Sequence, residues 1–576
     1  MRKTGIILFL LLLLITGGYL FIRYYLLRAN DFKPDRSKAI SPLDLRPALI
    51  AKLKQVIRDA SHGLYILSLD SIEPHMRNAS VDLIHARIRV DSSVLASLDA
   101  LQQAPDDVYA VSFRKMTVSG LGIAELLNRR RIDLDRIIIS DPEMTLFRKE
   151  RPYNLAKRKL RDTLTLQQRI TQHLDHISVD SIRIENGSFI SKNLLARGRD
   201  TRFDHLTVNM HRLLIDSASH RDTSRFFFTE NTSVSCGFLQ RRTSDSLYLL
   251  EADSLLLNAN AHTLTAFRVL LKPRGNKTIF RKKLRHRGDR FHISVPMLTL
   301  SGMHWWQLFN KGILRADRMD IHGGFLKDYV DGSLPPRPKI KLRNFPYQTL
   351  HGLSLPIHIS RVNIHGFSIA YTEYYPPSGR DGTLYFDDIN GCISNLINIP
   401  GNIKAGMWCR VDATTRFMHS IYGRIRMGFD MNRYRSGVYT ADINLGSFPG
   451  TVLNPVTENL SLFTIKQGTA DSCRMHIAGN NTNTTATVRL LYHDLHIITL
   501  RKKEDDNGRL KKKNLLSFFM NTLVIRNANP GRKDHPREIT ATLTRDGSPS
   551  FFNFCWRAMR YGILSTVGIP KAFIPQ

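Results

Sequence analysis

Apolar and polar residues alternate over most of the chain, with the two-residue period of a half-buried β-strand. The clearest examples are Ile177/Val179, Ile182/Ile184, Ile357/Ile359, Val362/Ile364 and Leu384/Phe386. Gly, Asn, Asp and Ser separate these segments, as in many short strands joined by turns. The chain shows no regular succession of strands and long helices, which argues against a doubly wound nucleotide-binding fold. The pattern therefore predicts a mainly β protein with an antiparallel sheet that has one apolar face.

Two segments have helical periodicity instead. Ser41–Ser61 has apolar residues at positions 49, 53, 56 and 57, which form one face of an amphipathic helix. Asn154–Leu174 is a second candidate, rich in Lys and Arg, and we interpret it as a solvated helix over one end of the sheet rather than a membrane-surface helix. The sequence thus predicts a few helices beside the sheet.

A weak internal repeat combines a charged or polar pair, two apolar residues one apart, a turn residue and a further hydrophobic residue. It occurs at Asp135–Phe147, Asp180–Phe189, Asp253–Phe267, Asp317–Phe325 and Ser360–Ile369. The irregular distances between these copies exclude a solenoid of fixed period. They favour a sheet that is extended one hairpin at a time.

The N-terminal segment Gly5–Ile22 contains 18 residues without a charge, close to the ~20 that span a bilayer as a helix. A cleaved signal peptide has a shorter apolar region and a small-residue cleavage site. We therefore expect an uncleaved anchor. The flanking Arg and Lys residues do not decide its orientation, because long hydrophilic domains are translocated largely regardless of that bias.

The chain is strongly basic, with 83 Lys and Arg against 50 Asp and Glu, a net charge of +33. Nucleic-acid binding would need a basic face with aromatic stacking residues, whereas here the basic residues are spread over the whole chain. A distributed positive field suits anionic lipid headgroups, and it also serves surface solubility. We expect no nucleic-acid partner, and the other two interpretations stay open.

Motifs of enzyme chemistry are missing from the sequence. It contains no H-E-x-x-H, G-x-x-x-x-G-K-[ST], G-x-S-x-G or C-x-x-C. Its five Cys residues lie far apart, and no local base marks one of them as a nucleophile. The sequence therefore predicts a protein without enzymatic activity, with no catalytic residues, no metal site and no cofactor.

The order of features in the second half of the chain resembles the AsmA-like proteins of Gram-negative envelopes. Ser354–Asn395 contains a strand pair, a G-x-x-x-x-Y-x-E step, a Gly-containing loop and the sequence L-Y-F-D-D-I. Further features follow in order: Leu453-Asn454-Pro455, Gln467-Gly468-Thr469, Leu491–Leu495, Thr522–Pro530 and Phe551-Phe552-Asn553. The N-terminal anchor and the β-rich body agree with this resemblance.

The resemblance implies a single-pass protein of the inner membrane with most of the chain in the periplasm. It implies an elongated, curved, taco-like sheet with an apolar groove, related to bridge-like lipid-transfer proteins, and a role in phospholipid transport and outer-membrane lipid homeostasis. The expected partners are membrane lipids, in particular anionic phospholipid, and the inner membrane. The alternative is a non-enzymatic envelope assembly factor or scaffold that binds envelope proteins by β-strand addition.

The expected organisation has four parts: an anchor at 1–29, a β-rich region with amphipathic helices at 30–300, an AsmA-like β region at 301–550 and an amphipathic segment at 551–576. From the alternation, we predict that six residues line the groove. They are Ile182, Ile184, Val362, Ile364, Leu384 and Phe386. The last segment fits a helix on a bilayer surface and equally a helix that closes one end of the sheet.

Overall fold

The computed structural model describes residues 46–569, except 76–77, 121–130, 158–175, 196–199, 217, 220–221, 223–224, 227, 244, 336–344, 354, 503–509, 513–524, 532–534 and 546–550. The fold is mainly β, with 59 % strand and 17 % helix, as the sequence predicts. The expected anchor lies outside the described residues. Within the described part of the chain, no helix has the length and apolar character needed to cross a membrane.

Seven α-helices accompany the strands in the described part of the chain. They are α1 (Arg46–Ala60), α2 (Ser92–Ala100), α3 (Pro152–Lys157), α4 (Lys277–Lys283), α5 (Pro346–His351), α6 (Asn454–Ser461) and α7 (Phe551–Thr566). Asp91 caps α2, since its carboxylate accepts hydrogen bonds from the Ser93 and Val94 amides. The predicted helix at 41–61 is thus present as α1, and the candidate at 154–174 is described only as far as Lys157.

Contacts divide the chain into two compact units, described separately below. Unit 1 includes the described residues up to Phe267 together with His304–Gly312, and unit 2 includes Arg268–Met303 and the described residues from Ile313 onward. The division falls within one strand, Thr263–Pro273, whereas the sequence analysis expects a boundary at residue 300.

The described residues of unit 1 form thirteen strands, of which the last continues into unit 2. They are β1 (Tyr65–Ser68), β2 (Ser71–His75), β3 (Ser80–Val90), β4 (Asp107–Ser119), β5 (Arg131–Ser140), β6 (Glu143–Arg148), β7 (His176–Asn193), β8 (Thr201–Ile215), β9 (Asn231–Cys236), β10 (Phe238–Arg242), β11 (Tyr248–Ala252), β12 (Ser254–Asn258) and β13 (Thr263–Pro273). Strand β3 pairs with β1, β2 and β4, and from β7 onward the strands form a meander in which β8 pairs with β9 and β10.

The described residues of unit 2 form a further thirteen strands. They are β14 (Asp289–Ser301), β15 (Leu314–His322), β16 (Phe325–Asp331), β17 (Ile357–Tyr375), β18 (Arg380–Ile397), β19 (Trp408–Phe417), β20 (Ile421–Asp430), β21 (Tyr439–Leu445), β22 (Phe448–Pro449), β23 (Phe463–Gly479), β24 (Asn483–Lys502), β25 (Leu510–Lys512) and β26 (Ile539–Thr544). From β17 to β24 each long strand pairs antiparallel with the next one, and β24 also pairs with β26.

The sheet is mixed, so the prediction of an antiparallel sheet is correct for most of the described strand pairs and wrong for four of them. Strands β5 and β6 both run parallel to β7, and β15 and β16 both run parallel to β17. Parallel neighbours cannot be joined by a tight turn and need a crossover connection. Helix α3 follows β6 in the chain and α5 precedes β17, so each lies between the two parallel strands that a crossover joins.

The same five-strand motif occurs once in each unit. Strands β4 to β8 and β14 to β18 have the same pairing pattern. In each set the second and third strands both pair antiparallel with the first strand and parallel with the fourth, as if they were one interrupted strand, and the fourth pairs antiparallel with the fifth. Gly120 and Gly302, 182 residues apart, both end the first strand with a positive φ. At each, an added Cβ would lie 2.6 Å from the Cγ atom of an aspartate, Asp135 or Asp317.

This duplication explains the repeat seen in the sequence. The copies that begin at Asp135 and Asp317 are the matching interrupted strands, and those that begin at Asp180 and Ser360 are the matching strands after the crossover. The copies that begin at Asp135 and Asp180 lie side by side in parallel, as do those that begin at Asp317 and Ser360, whereas the Asp253 copy spans the antiparallel strands β12 and β13. The prediction that the copies mark successive hairpins is therefore wrong for these four and holds for the Asp253 copy. Periodicity along a strand does not record the direction of its neighbour.

Each motif is also interrupted at the same places. The β7–β8 register shifts between Ile184 and Phe189, and the β17–β18 register shifts between Ile364 and Ile369. Left-handed residues lie at these shifts, namely Asn186 and His205 in unit 1 and Gly366 and Asp388 in unit 2. Such bulges bend a strand and increase its twist, so both motifs bend at equivalent positions.

Candidate functional site

Two continuous rows of apolar side chains cross ten strands of unit 2. Each row follows cross-strand partners, which lie side by side on one face of a sheet. The first row is Leu300, Met319, Val362, Ile393, Val411, Met427, Ala441, Ile477, Ala486 and Ala541. The second is Leu298, Ile321, Ile364, Gly391, Ala413, Ile425, Ile443, Met475, Val488 and Ile539. We call this surface the apolar face of unit 2.

The row of partners between these two points to the opposite face and is polar, apart from one cysteine. It consists of Thr299, Asp320, Asn363, Cys392, Asp412, Arg426, Asp442, His476, Thr487 and Thr540. Hydrogen bonds and ion pairs connect neighbours along this face; the Asp412 carboxylate, for example, accepts two hydrogen bonds from Arg424, at 2.9 and 3.0 Å. The sheet is therefore amphipathic over its whole width in this unit.

Unit 1 has an apolar row of the same kind across nine strands. It consists of Ile72, Leu83, Met116, Ile139, Ile184, Val208, Val234, Leu257 and Leu264. A second row passes through Ile182, between Ile137 on β5 and Met210 on β8. Each unit thus presents its own apolar face.

The six predicted groove residues all lie on strands and on the apolar face of their unit. Ile182, Ile184, Val362 and Ile364 belong to the rows above, whereas Leu384 and Phe386 lie in two further rows beyond the register shift. Ile182 and Ile184 pack against the hydrophobic core of unit 1. In unit 2, Val362 is buried and Ile364 is half-buried. Leu384 pairs with Tyr371, and Phe386 pairs with Ile369 and stacks on Phe417 with ring centroids 5.2 Å apart. The structure places these residues on one face of each unit, and their contact with lipid stays a prediction.

One feature of this face cannot be read from alternation. Ile177 and Val179 have the opposite parity to Ile182 and Ile184, so a regular strand would direct the two pairs to opposite faces. In the structure, both pairs belong to the same hydrophobic cluster. Between the two pairs, Arg212 on the neighbouring strand has a left-handed backbone conformation, with φ 51°. Asn395 is left-handed in the corresponding place beside the Ile357/Ile359 and Val362/Ile364 pairs.

Helices cover part of each apolar face. In unit 1, Leu53 and Ile57 of α1 belong to the cluster formed by the apolar strand residues. In unit 2, Tyr347 of α5 and four residues of α7 pack on Ala441, Ile477 and Ala486; the four are Phe551, Phe554, Cys555 and Ala558. Apolar-face residues of β15 and β17 to β20 stay half-buried, among them Met319, Ile364 and Ile425.

Helix α7 therefore packs on the sheet in the manner of a cap. Its buried residues are Phe551, Phe554, Cys555, Ala558, Gly562 and Thr566. Phe552 and Trp556 lie one turn apart on its other side and are 67 % and 38 % exposed. Of the two interpretations of residues 551–576, this packing favours the cap.

A charged cluster interrupts the apolar face of unit 2 beyond the bulge. Asp328 on β16 pairs with Tyr371 on β17, and Tyr371 pairs in turn with the predicted groove residue Leu384, so these side chains share one face. The Tyr371 hydroxyl donates a hydrogen bond to Glu373 Oε2 at 3.3 Å. Arg560 of α7 lies within electrostatic range of Glu373. We call Asp289, Asp328, Tyr371, Glu373, Arg557 and Arg560 the charged cluster.

Burial changes the ionisation of this cluster. It raises the pKa of Asp328 to about 7, and repulsion by Asp289 adds to this effect. Burial also raises the pKa of Glu373, although Arg287 and Arg560 counteract it. The pKa of Arg560 is lowered by burial and by the nearby charge of Arg557. Oδ1 of Asp328 is buried and has no hydrogen-bond partner among the described residues. Burying the charged form of an ionisable group costs free energy unless the group is paired.

A second group of polar side chains, Glu73, His75 and Asp82 in unit 1, lies within the reach of one metal ion. The Asp82 carboxylate is already satisfied, since it accepts a hydrogen bond from Thr117 Oγ1 at 2.6 Å and Lys115 Nζ lies 2.9 Å from its other oxygen. An ammonium group at that distance competes directly with a cation. The arrangement is that of an ion pair between strands, and we assign no metal to it.

All five cysteines are free thiols. Burial raises the pKa of Cys409 and of Cys555 to about 11, and that of Cys473 to about 12. A nucleophilic cysteine needs the opposite shift, because the thiolate is the reactive form. These three thiols are therefore packing groups within hydrophobic clusters.

Comparison with known proteins adds no assignment to this geometry. No protein-family model matches the chain, and no curated protein matches it.

Proposed function

We propose that this protein holds lipid acyl chains along the apolar faces of its two units and thereby takes part in phospholipid transport and outer-membrane lipid homeostasis. In this proposal, residues 5–22 anchor it in the inner membrane and the sheet lies in the periplasm. The resemblance to AsmA-like proteins supports the location and the process. The observation that carries the proposal is the pair of ten-residue apolar rows of unit 2, which are separated by a polar row on the other face.

The energetic reason is the exposure of hydrocarbon during transfer. Each methylene group of an acyl chain that leaves water gains about 0.8 kcal/mol. The closely spaced Ile, Val, Met and Ala side chains of β15 and β17 to β20, where the apolar face is only partly buried, give this gain without directional bonds. A chain can therefore slide along the rows, because no single position holds it more tightly than the next.

Position-specific photo-crosslinking of the full-length protein tests the proposal. A photoreactive residue at position 364 lies on the apolar face, and one at position 363 lies on the polar face of the same strand. We expect lipid adducts at 364 and few at 363, measured by mass spectrometry after irradiation in cells. Equal lipid labelling at both positions would contradict the proposal.

A matched pair of substitutions provides a second test. Ile364→Asp places a carboxylate on the apolar face, whereas Asn363→Asp adds the same charge to the polar face. We expect the first to lower the lipid that co-purifies with the full chain and the second to leave it unchanged, with unfolding curves recorded for both. Crosslinks to protein strands, with no lipid at position 364, would instead favour the scaffold alternative.

A further inference from the structure

Three side chains with metal-binding nitrogen or sulfur atoms are cross-strand neighbours on the polar face of unit 2. Met297 on β14 pairs with His322 on β15, and His322 pairs with His365 on β17. These positions lie one step along the strands from the second apolar row, and successive side chains alternate between faces, so all three point away from the apolar face. We call Met297, His322 and His365 the imidazole–thioether cluster.

The two histidines of this cluster differ from six other histidines of the chain. Their rings are stacked with centroids 5.1 Å apart and planes 11° apart, and among the described residues neither imidazole makes a hydrogen bond. The six others each pair with an aspartate; they are His75, His85, His176, His419, His476 and His493. The stacked pair therefore offers imidazole nitrogens that no described group of the protein uses.

The neighbouring carboxylate on this face is already engaged. Asp320 precedes His322 by two residues on β15, and it accepts hydrogen bonds from Asn363 Nδ2 and from Arg318 Nε, both at 2.8 Å. The donor set that remains consists of two imidazoles and a thioether. Carboxylates and carbonyls suit Mg²⁺ and Ca²⁺, whereas thioether and imidazole ligands suit copper and select Cu(I). A monovalent ion is also repelled less than a divalent one by a chain with a net charge of +33.

The duplicated motif of unit 1 shows that the fold itself does not require these residues. At the equivalent positions, Lys115 pairs with Ser140 and Ser140 pairs with Glu185. The Ser140 hydroxyl donates a hydrogen bond to Glu185 Oε2 at 3.5 Å, and Arg183 Nε lies 3.0 Å from Glu185 Oε1. Ordinary polar residues that satisfy one another thus occupy the place that holds three potential metal ligands in unit 2.

We propose that the imidazole–thioether cluster binds one Cu(I) ion, with one nitrogen of each imidazole and the sulfur of Met297 as ligands. Both histidines are exposed, and exposed side chains change rotamer rapidly, so one nitrogen of each ring can turn toward a common point beside Met297. The sequence analysis expects no metal site, because the three residues come from separate strands that only the sheet register brings together. The site lies on the polar face, so the inference does not depend on the proposed lipid function.

Titration of the full-length protein in detergent with Cu(I), under anaerobic conditions, tests this assignment. Bathocuproine disulfonate competes for the ion and reports by its absorbance how much Cu(I) the protein retains. We expect one Cu(I) per chain, no retention after His322→Ala combined with His365→Ala, and binding about tenfold weaker or more after Met297→Leu. His476→Ala combined with His493→Ala is the matched control. It removes two exposed imidazoles that pair with aspartates and should leave Cu(I) binding unchanged.

Cys392 provides the test of an alternative ligand. It is a half-buried free thiol that pairs with Asn363 on the same polar face. Loss of Cu(I) in Cys392→Ser together with retention in the double histidine variant would assign the ion to the thiol and overturn the proposal. The proposal also fails if the protein retains no Cu(I), or if it binds Zn(II) as tightly as Cu(I) and Met297→Leu affects neither. Circular dichroism of each variant verifies the fold, and X-ray absorption of the copper-loaded protein should show both nitrogen and sulfur neighbours.

Discussion

Phe552 and Phe554 on the C-terminal helix provide a controlled test of how that helix is used. Phe554 is 1 % exposed, and Phe552, two residues away, is 67 % exposed. Phe554 belongs to the hydrophobic cluster with Phe345, Tyr439 and Ala486, and the guanidinium of Arg545 lies 5.8 Å from its ring centroid. The two substitutions to alanine remove the same atoms from the same helix and differ in the environment of the ring.

The expected cost follows from that difference. Truncation of a buried Phe to Ala removes its transfer free energy and leaves a cavity, at about 3–5 kcal/mol. We expect Phe554→Ala to lower the free energy of unfolding of unit 2 by this amount. Phe552→Ala loses mainly an edge contact with the Phe551 ring, at 5.3 Å between centroids, and should change stability by no more than about 0.5 kcal/mol.

Urea unfolding of the full-length protein in mild detergent, followed by circular dichroism, measures both values under the same conditions. Binding to anionic vesicles is recorded in parallel for the two variants. An equal effect of both substitutions on stability, or a loss below about 1 kcal/mol for Phe554→Ala, would refute the assignment of the helix as a cap. In that case the helix would be held by something other than its packing on the sheet.

Three further predictions concern the same unit. The pKa of Asp328 rises from 3.8 to about 7 on folding, so the lipid-free protein should lose stability as pH rises from about 4 to 7. Asp328→Asn should be more stable than the parent by up to about 4 kcal/mol at pH 8 and equal to it near pH 4. Equal stability of variant and parent at both pH values in urea unfolding would contradict this. Gly562→Ala should lower the free energy of unfolding by about 1–3 kcal/mol, because an added Cβ would lie 2.5 Å from a valine side chain. A Cβ added at Gly401 would have no neighbour within 4 Å, so Gly401→Ala should be neutral in the same assay. Burial raises the pKa of the Cys473 thiol to about 12, so iodoacetamide should label it only after unfolding and should label the half-buried Cys392 sooner; equal native rates by mass spectrometry would disprove this.

The local character of each strand could be predicted from the sequence. Alternation at Val362/Ile364 and at Leu384/Phe386 fixes which residues of a strand share a face, because successive side chains point in opposite directions. The apolar rows are the sum of such choices over many strands. For this reason the mainly β fold, and the position of the six predicted residues on the apolar face of each unit, agree with the alternation in the sequence.

The cap helix was only half predictable. The apolar stripe of residues 551–566 shows that this helix needs an apolar surface, but periodicity is the same for a helix on a bilayer and a helix on a sheet. The choice depends on whether an apolar surface is available within the chain. Strands β21, β23 and β24 provide one, through Ala441, Ile477 and Ala486.

Tertiary structure alone decided three features. They are the direction of each strand, the switch of side chains from one face to the other beside Arg212 and Asn395, and the charged cluster. Parallel pairing of the repeated segments depends on crossovers that follow them in the chain. Asp328 and Glu373 look like ordinary solvent-facing strand residues until the register places them beside Tyr371 on the apolar face. Side-chain periodicity is a property of one strand, whereas burial, pKa and partner depend on its neighbours, which only the folded chain brings together.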